Sequence, residues 1–243
     1  VAVWTADDIA DVPAIDFREG PIEKLAPYRQ PVLARDKVRY AGEPVAAVFA
    51  EDPYIAEDAA DLVTMDVEEL PPLLDARDEV GEFSFARDTE AAVLPQGYGD
   101  VEAVFKTAPH VVELKLTSGR HSGVPLECRA ALGRYDASRD VLELHGAAKV
   151  PHRNKELIAR MLSRPPSSVQ CYESHVGGGF GIRGELYPED VLVCVAAMRL
   201  ERPVKWIEDR REHFNSATQE RDQYWDVEMA LDADGKILGL RID

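Results

Sequence analysis

His175-Val-Gly-Gly-Gly-Phe-Gly-Ile-Arg-Gly-Glu-Leu-Tyr-Pro-Glu-Asp190 concentrates backbone freedom, aromatic surface and charge more tightly than any other stretch of the chain. Gly177, Gly178, Gly179 and Gly181 lack a Cβ, so the backbone there can take positive φ and approach another group closely, at an entropic cost an ordinary loop does not bear. Phe180 supplies one rigid apolar plane between glycines. Tyr187-Pro188 then seats a helix, whose first N–H groups have no intrahelical partner. Upstream, Val169-Gln-Cys-Tyr172 reads as a strand that delivers the chain into the loop. Strand, glycine loop and helix in that order suit an anion held on backbone N–H groups. Neither G-x-G-x-x-G nor G-x-x-x-x-G-K-S/T is present, so a mononucleotide fold is a poor match. A flexible linker or a tight turn is the alternative reading of the glycines alone, although linkers are usually rich in serine and this stretch has none.

Outward from the loop, the run from Val191 to Leu200 is apolar almost all round, which predicts a buried helix. Arg202-Pro-Val-Lys-Trp-Ile207 reads as a strand, and Glu208-Asp-Arg-Arg-Glu212 as a solvated ion-pair cluster. Two hairpins are expected, one joining 130–135 to 141–145 and one joining 226–231 to 236–242 through Asp232-Ala-Asp-Gly235. Residues 151–164 carry Leu157, Ile158, Met161 and Leu162 on one helical face and stop before Pro165-Pro166. Asp100 opens a short helix ahead of an alternating strand over 110–116. Nearer the N-terminus, residues 1–5 read as a strand and Thr5 with Asp7 and Asp8 as a cap. Residues 38–50 suggest two strand pieces around Gly42-Glu-Pro44. Asp52-Pro53 opens a helix with an apolar stripe of Ile55, Ala56, Ala59, Ala60 and Leu62, and Val63-Thr-Met-Asp-Val-Glu68 alternates as a third strand, completing a β-α-β unit. Residues 75–96 are polar and acidic, the best candidate for an interdomain connection.

A chain of 243 residues with 45% hydrophobic and 30% charged residues is long enough to bury a sizeable core. Its formal net charge of -17 repels phosphate backbones and anionic lipid heads, which argues against nucleic-acid and membrane-surface partners. Cys128, Cys171 and Cys194 are odd in number and form no C-x-x-C pair, so neither a disulfide framework nor a protein-held zinc or iron–sulfur site is indicated, and a reducing, cytoplasmic setting fits best. No apolar run approaches the roughly 18 residues that span a bilayer.

Val176-Gly-Gly-Gly-Phe-Gly181, Tyr187-Pro188-Glu189, Arg202-Pro-Val-Lys-Trp206, Glu208-Asp209-Arg210 and Asp234-Gly235-Lys-Ile-Leu-Gly239, in that order, resemble the molybdenum-cofactor-binding subunit of the xanthine dehydrogenase, aldehyde oxidase and aerobic carbon monoxide dehydrogenase family. Arg120-x-x-x-x-Pro125-Leu-Glu127 followed by Tyr135-Asp136 resembles the start of that family's first cofactor-binding domain, and residues 1–80 the later part of its α/β hammerhead domain. The resemblance implies an α+β fold: the C-terminal part of a hammerhead domain over residues 1–90, then the first part of the molybdenum-cofactor-binding domain over 97–243, with mixed sheets and packed helices. It implies a molybdenum–pterin cofactor, in the cytosine dinucleotide form, against Gly178, Gly179, Phe180, Gly181, Lys149 and Arg183, with no metal ligand from the protein. It also implies partner subunits carrying Fe-S clusters and FAD, a hetero-oligomer, and oxidation of an aldehyde, N-heterocycle or carbon monoxide with water as the oxygen source.

Two positions depart from the family pattern. Lys149 stands where a glutamine often bonds the oxo ligand, and Gly184 where some members place a substrate-contacting glutamate, leaving the adjacent Glu185 as the candidate catalytic residue. A lysine there still donates a hydrogen bond but adds positive charge. These departures keep open a second reading, a cofactor-free relative acting as a binding or assembly subunit. The family's general-base glutamate lies beyond Asp243, so the chain is expected to be a fragment, or one half of a split subunit, without turnover of its own.

Overall fold

The computed structural model describes residues 2–17, 23–84, 87–173 and 175–243. In chain order its elements are β1 (Ala2–Trp4), β2 (Ala47–Phe49), α1 (Pro53–Ala60), β3 (Glu82–Ser84), β4 (Arg87–Asp88), α2 (Val101–Thr107), β5 (His110–Ser118), β6 (Ala130–Asp136) and β7 (Val141–Gly146). They continue with α3 (Pro151–Met161), β8 (Val169–Tyr172), α4 (Pro188–Arg199), β9 (Val204–Ile207), α5 (Arg210–Ser216), β10 (Gln223–Leu231) and β11 (Ile237–Ile242). The chain divides into two compact units, each discontinuous in sequence: residues 1–69 with 122–218, and residues 70–121 with 219–243.

The first unit is built on a four-stranded sheet ordered β8-β7-β6-β9, in which β7 and β8 run parallel and the other pairs antiparallel. A parallel pair needs a crossover, and α3 supplies it, packing its Leu157, Ile158 and Met161 face inward. Helix α4 follows β8 and buries Val191, Val193, Cys194, Val195, Ala196 and Ala197, as a helix apolar all round must. Leu142, Ile158, Val169, Val191 and Cys194 are fully buried at the centre of one core, which Ala6, Ile9, Ile15, Val32 and Leu33 of the N-terminal segment join. Gly133 sets how closely α4 approaches the sheet, because a Cβ there would lie 2.3 Å from the carbonyl oxygen of Val193.

The second unit is a three-stranded antiparallel sheet ordered β11-β10-β5, with α2 on one face. Asp100 caps α2 by accepting from the Ala103 N–H at 3.0 Å. Arg241 ties β11 to Glu102 of that helix at 2.7 Å and to Glu228 of β10 at 2.5 Å, beneath the Phe105 ring.

Three expectations fail near the N-terminus. Of residues 38–50 only β2 is a strand, and residues 63–68 have no ladder partner among the described residues, so the β-α-β unit does not form there. Helix α1 forms, with Asp52 accepting from the Tyr54 and Ile55 N–H groups, yet buries none of its stripe, and Leu62 is 81% exposed. Alternation yields a strand only where a sheet edge can receive it, and β1 and β2 pair only with each other. Helix α5, which sequence reading missed, is closed by reciprocal bonds between Asp209 and Glu212.

Gly133→Ala forces α4 off the sheet and is expected to lower unfolding free energy by about 1–3 kcal/mol, the usual cost of overpacking a filled core. Urea unfolding read by the α4 signal checks this, and an unchanged midpoint would mean that the helix–sheet spacing is soft.

Candidate functional site

Two crossover loops leave the C-terminal ends of the parallel strands β7 and β8: residues 147–150 enter α3, and the glycine loop leads to α4. Open α/β sheets commonly place ligands outside the carboxyl ends of parallel strands. The loops are tied together by the Lys149 N–H, which donates to the Arg183 carbonyl at 2.8 Å. The ammonium-bearing Lys149 is exposed, whereas Arg183 is buried.

Within the glycine loop φ is +106° at Gly178, +46° at Phe180 and +96° at Gly181. Two of these are glycines, for which such angles cost little. At Phe180 a side chain is held in the left-handed region, a strain that persists only where surrounding contacts fix it. The Phe180 ring folds back over Gly178, whose added Cβ would meet it at 3.1 Å, and still stands 78% exposed. Ile182 turns back on Gly179 and Gly184 on Gly181 through N–H to carbonyl bonds of 2.9 and 3.0 Å. Among the described residues none accepts from the N–H of Gly179, Phe180 or Gly181. A Cβ built on Gly181 meets nothing within 4 Å. Unpaired donors on a loop with left-handed residues at Gly178, Phe180 and Gly181 suit an anionic oxygen.

Behind the loop lies segment 122–128. The Gly177 N–H donates to Glu127 Oε2 at 2.8 Å, and the Glu127 N–H returns a bond to the Gly177 carbonyl at 3.3 Å. Arg183 Nη2 donates to the Glu127 and Cys128 carbonyls and to Glu127 Oε2, at 2.9, 3.1 and 3.2 Å. The loop thus has a rigid back and an open front.

Next to it is a buried polar network. Arg129 donates from its backbone N–H, Nε and Nη2 to Glu208 at 2.9, 2.8 and 2.6 Å, and from Nη1 to Glu189 at 3.2 Å. His213 Nδ1 lies 2.8 Å from the second Glu208 oxygen, and the Arg129 guanidinium stacks 3.9 Å over the Tyr187 ring. Burial works to raise the Glu208 pKa, but its bonds to Arg129 outweigh that and hold it below the ordinary carboxylate value. This corrects the reading of residues 208–212 as a solvated cluster: Glu208 is 3% exposed and is the hub of the network. The signal was in the sequence, since Val204 and Trp206 face inward along β9 and Glu208 continues that alternation.

A cavity of about 30 Å³, room for about one or two waters, borders the network at Arg129, Tyr187 and Trp206. Glu185, half-buried, lines it with Arg183, Tyr187, Asp190 and Cys171. Burial raises the Cys171 thiol to about 11, so it stays neutral. Asp190 accepts from the Tyr187 N–H at 3.0 Å with its carboxyl turned inward, and burial pushes its pKa up to about 6. The structure therefore brings Gly178, Gly179, Phe180, Gly181, Lys149, Arg183 and Glu185 around one corner of the sheet. Among the described residues no cluster of three His, Cys, Asp or Glu side chains suits a metal ion, and no helix is long and apolar enough to cross a membrane.

An α+β chain presenting backbone donors beside parallel strand ends is a cofactor-binding domain in its construction. Sequence comparison assigns the family: the molybdopterin cofactor-binding domain matches residues 85–243, and the a/b hammerhead domain of aldehyde oxidase and xanthine dehydrogenase matches residues 1–71. The chain belongs to this molybdopterin-binding family. It is 43% identical over 222 residues to the 6-hydroxypseudooxynicotine dehydrogenase complex subunit gamma of Paenarthrobacter nicotinovorans, covering 90% of this chain and 28% of that protein. It is 34% identical over 230 residues to the carbon monoxide dehydrogenase large chain of Hydrogenophaga pseudoflava, covering 87% and 29%. Quinoline 2-oxidoreductase from Pseudomonas putida 86 superposes with a TM-score of 0.76 at 31% identity, covering 100% of this chain and 31% of that one. The chain thus spans about 30% of the length of these relatives.

Asp190 gives a pH test. Its folded pKa lies above the unfolded value near 3.8, so the folded state binds the extra proton and stability falls as pH rises from about 4 through about 6. Asp190→Asn keeps an acceptor for the Tyr187 N–H and is expected to raise stability at pH 8 by on the order of 1 kcal/mol, with no gain at pH 4. Thermal melts of both proteins across this range check it; an equal effect at both pH values would contradict it.

Proposed function

We propose that this chain is the part of a molybdenum hydroxylase catalytic subunit that holds one side of the molybdenum–pterin cofactor, in its cytosine dinucleotide form. The observation that supports this most is the set of Gly179, Phe180 and Gly181 N–H groups that have no partner among the described residues. Bound there, the cofactor supplies two-electron oxidation with water as the source of oxygen. The chain's own residues do simpler work. Gly178 and Gly181 let the backbone turn its donors outward, and Phe180 covers the loop with an apolar plane. Lys149 offers an exposed ammonium across the tied loops, so the anionic face of the cofactor meets a cation as well as backbone dipoles. Arg183 acts from behind, its guanidinium turned to Glu127 and Cys128. Glu185 is the acid–base candidate within this chain, at the wall of the small cavity.

In this reading residues 1–90 are the hammerhead part and 97–243 the cofactor-binding part of a cytoplasmic hetero-oligomer whose partner subunits carry Fe-S clusters and FAD. Its substrate is an aldehyde, an N-heterocycle or carbon monoxide. Relatives are named for 6-hydroxypseudooxynicotine, nicotine, quinoline and carbon monoxide.

Elemental analysis of the full-length protein, expressed with ample molybdate, tests the reading together with Gly181→Ala. The added methyl meets no atom of the chain, so its folding cost is that of positive φ, about 1–3 kcal/mol. The expected result is molybdenum and pterin in the wild type and loss of most of both in a folded Gly181→Ala. A wild type without molybdenum, or a variant that keeps its full content, would overturn the proposal.

A further inference from the structure

Segment 122–128 forms the back of the glycine loop yet belongs to no helix or strand of the described residues. Its four consecutive carbonyls are instead taken in pairs by two guanidinium groups. Arg210 Nη2 donates to the Pro125 and Leu126 carbonyls at 2.8 and 3.0 Å, and Arg183 Nη2 to the Glu127 and Cys128 carbonyls at 2.9 and 3.1 Å. The grip is independent of the side chains in between, for Leu126 is 96% exposed. The two loops also touch at positions where only glycine fits. A Cβ on Gly123 would lie 2.5 Å from the Phe180 carbonyl oxygen, and one on Gly177 would lie 2.5 Å from Glu127 Cβ.

We propose that Arg210, Arg183 and Glu127 are positioning residues, which together hold segment 122–128 as a fixed backing and thereby aim the Gly179–Gly181 N–H groups outward; that these groups face a cofactor rests on the proposed function above. The chemistry demands arginine. In each arginine one Nη2 serves both carbonyls, its two N–H bonds diverging at a fixed angle in the guanidinium plane, while a lysine ammonium rotates on a flexible stem. Glu127 adds the transverse tie, because its carboxylate accepts from the Gly177 N–H and from Arg183 at once. Arg210 is the member that neither the glycine motif nor the cavity reveals. It is the first residue of α5, which Asp209 caps and which Glu208 precedes by two residues.

The test uses the full-length protein, with Arg210→Lys, Arg210→Ala and Glu127→Gln compared by hydrogen exchange and by metal content. Loss of one charge-assisted bond predicts at least about tenfold faster exchange of the hydrogen-bonded amides in 176–184, those of Gly177, Ile182 and Gly184. Exchange in the α4 core, residues 191–197, stays as in wild type. Molybdenum content falls in Arg210→Ala at a melting temperature within a few degrees of wild type, and Arg210→Lys does not rescue it. Unchanged exchange over 176–184 in both Arg210→Ala and Glu127→Gln overturns the proposal, as does full rescue by lysine. The two readings separate cleanly: a wild type without molybdenum whose loop still loosens on substitution removes the cofactor and keeps the clamp, while molybdenum present with an indifferent loop does the reverse.

Discussion

The ion pair between Arg129 and Glu208 is the constraint on which the rest of the site depends. Arg129 stands where segment 122–128 ends and β6 begins, Glu208 where β9 ends and α5 is about to begin, and Glu189, the third partner, is in the first turn of α4. One guanidinium therefore fixes the end of the backing segment and the starts of the helix bearing Arg210 and of the helix that receives the glycine loop. Such a buried pair adds little net stability, because desolvation offsets its attraction, but removing one partner strands a charge at a cost of about 3–5 kcal/mol. The network is thus a device for placement more than for stability. Its sign follows from Glu208: a carboxylate held below its ordinary pKa stabilises the fold above the unfolded value near 4.5 and loses that contribution as pH falls through the folded one.

Charge is distributed to match. The chain carries -17 overall, yet the glycine loop has Lys149 beside it and Arg183 and Arg210 behind it. Arg183 is answered by Glu127, whereas Arg210 spends its hydrogen bonds on carbonyls and keeps its charge. In a chain acidic overall, cations beside the loop favour an anion that binds there.

What the sequence makes legible is what a local pattern determines. The glycine loop, the all-apolar α4 and the capped α2 follow from composition and spacing, since backbone freedom and burial leave few alternatives there. Residues 63–68 and the stripe of α1 fail for the opposite reason: their identity depends on a neighbour, and no sheet edge reaches them among the described residues. Glu208 is the instructive case. Its surroundings of Asp209, Arg210, Arg211 and Glu212 read as a solvated cluster, and only its register with Val204 and Trp206 marks it as inward. Arg210 was legible only as part of a motif, and its role was not, because its partners are backbone carbonyls some 85 residues away in sequence.

The account makes the glycine loop a set of backbone donors held at a fixed angle by side chains that never touch the ligand. Anomalous diffraction at the molybdenum absorption edge, on crystals of the full-length protein, tests that claim most directly. The account predicts a single strong metal peak in front of Gly179, Phe180 and Gly181, on the face opposite Glu127. A peak elsewhere in the molecule, or none in crystals of protein shown to be folded, would contradict it.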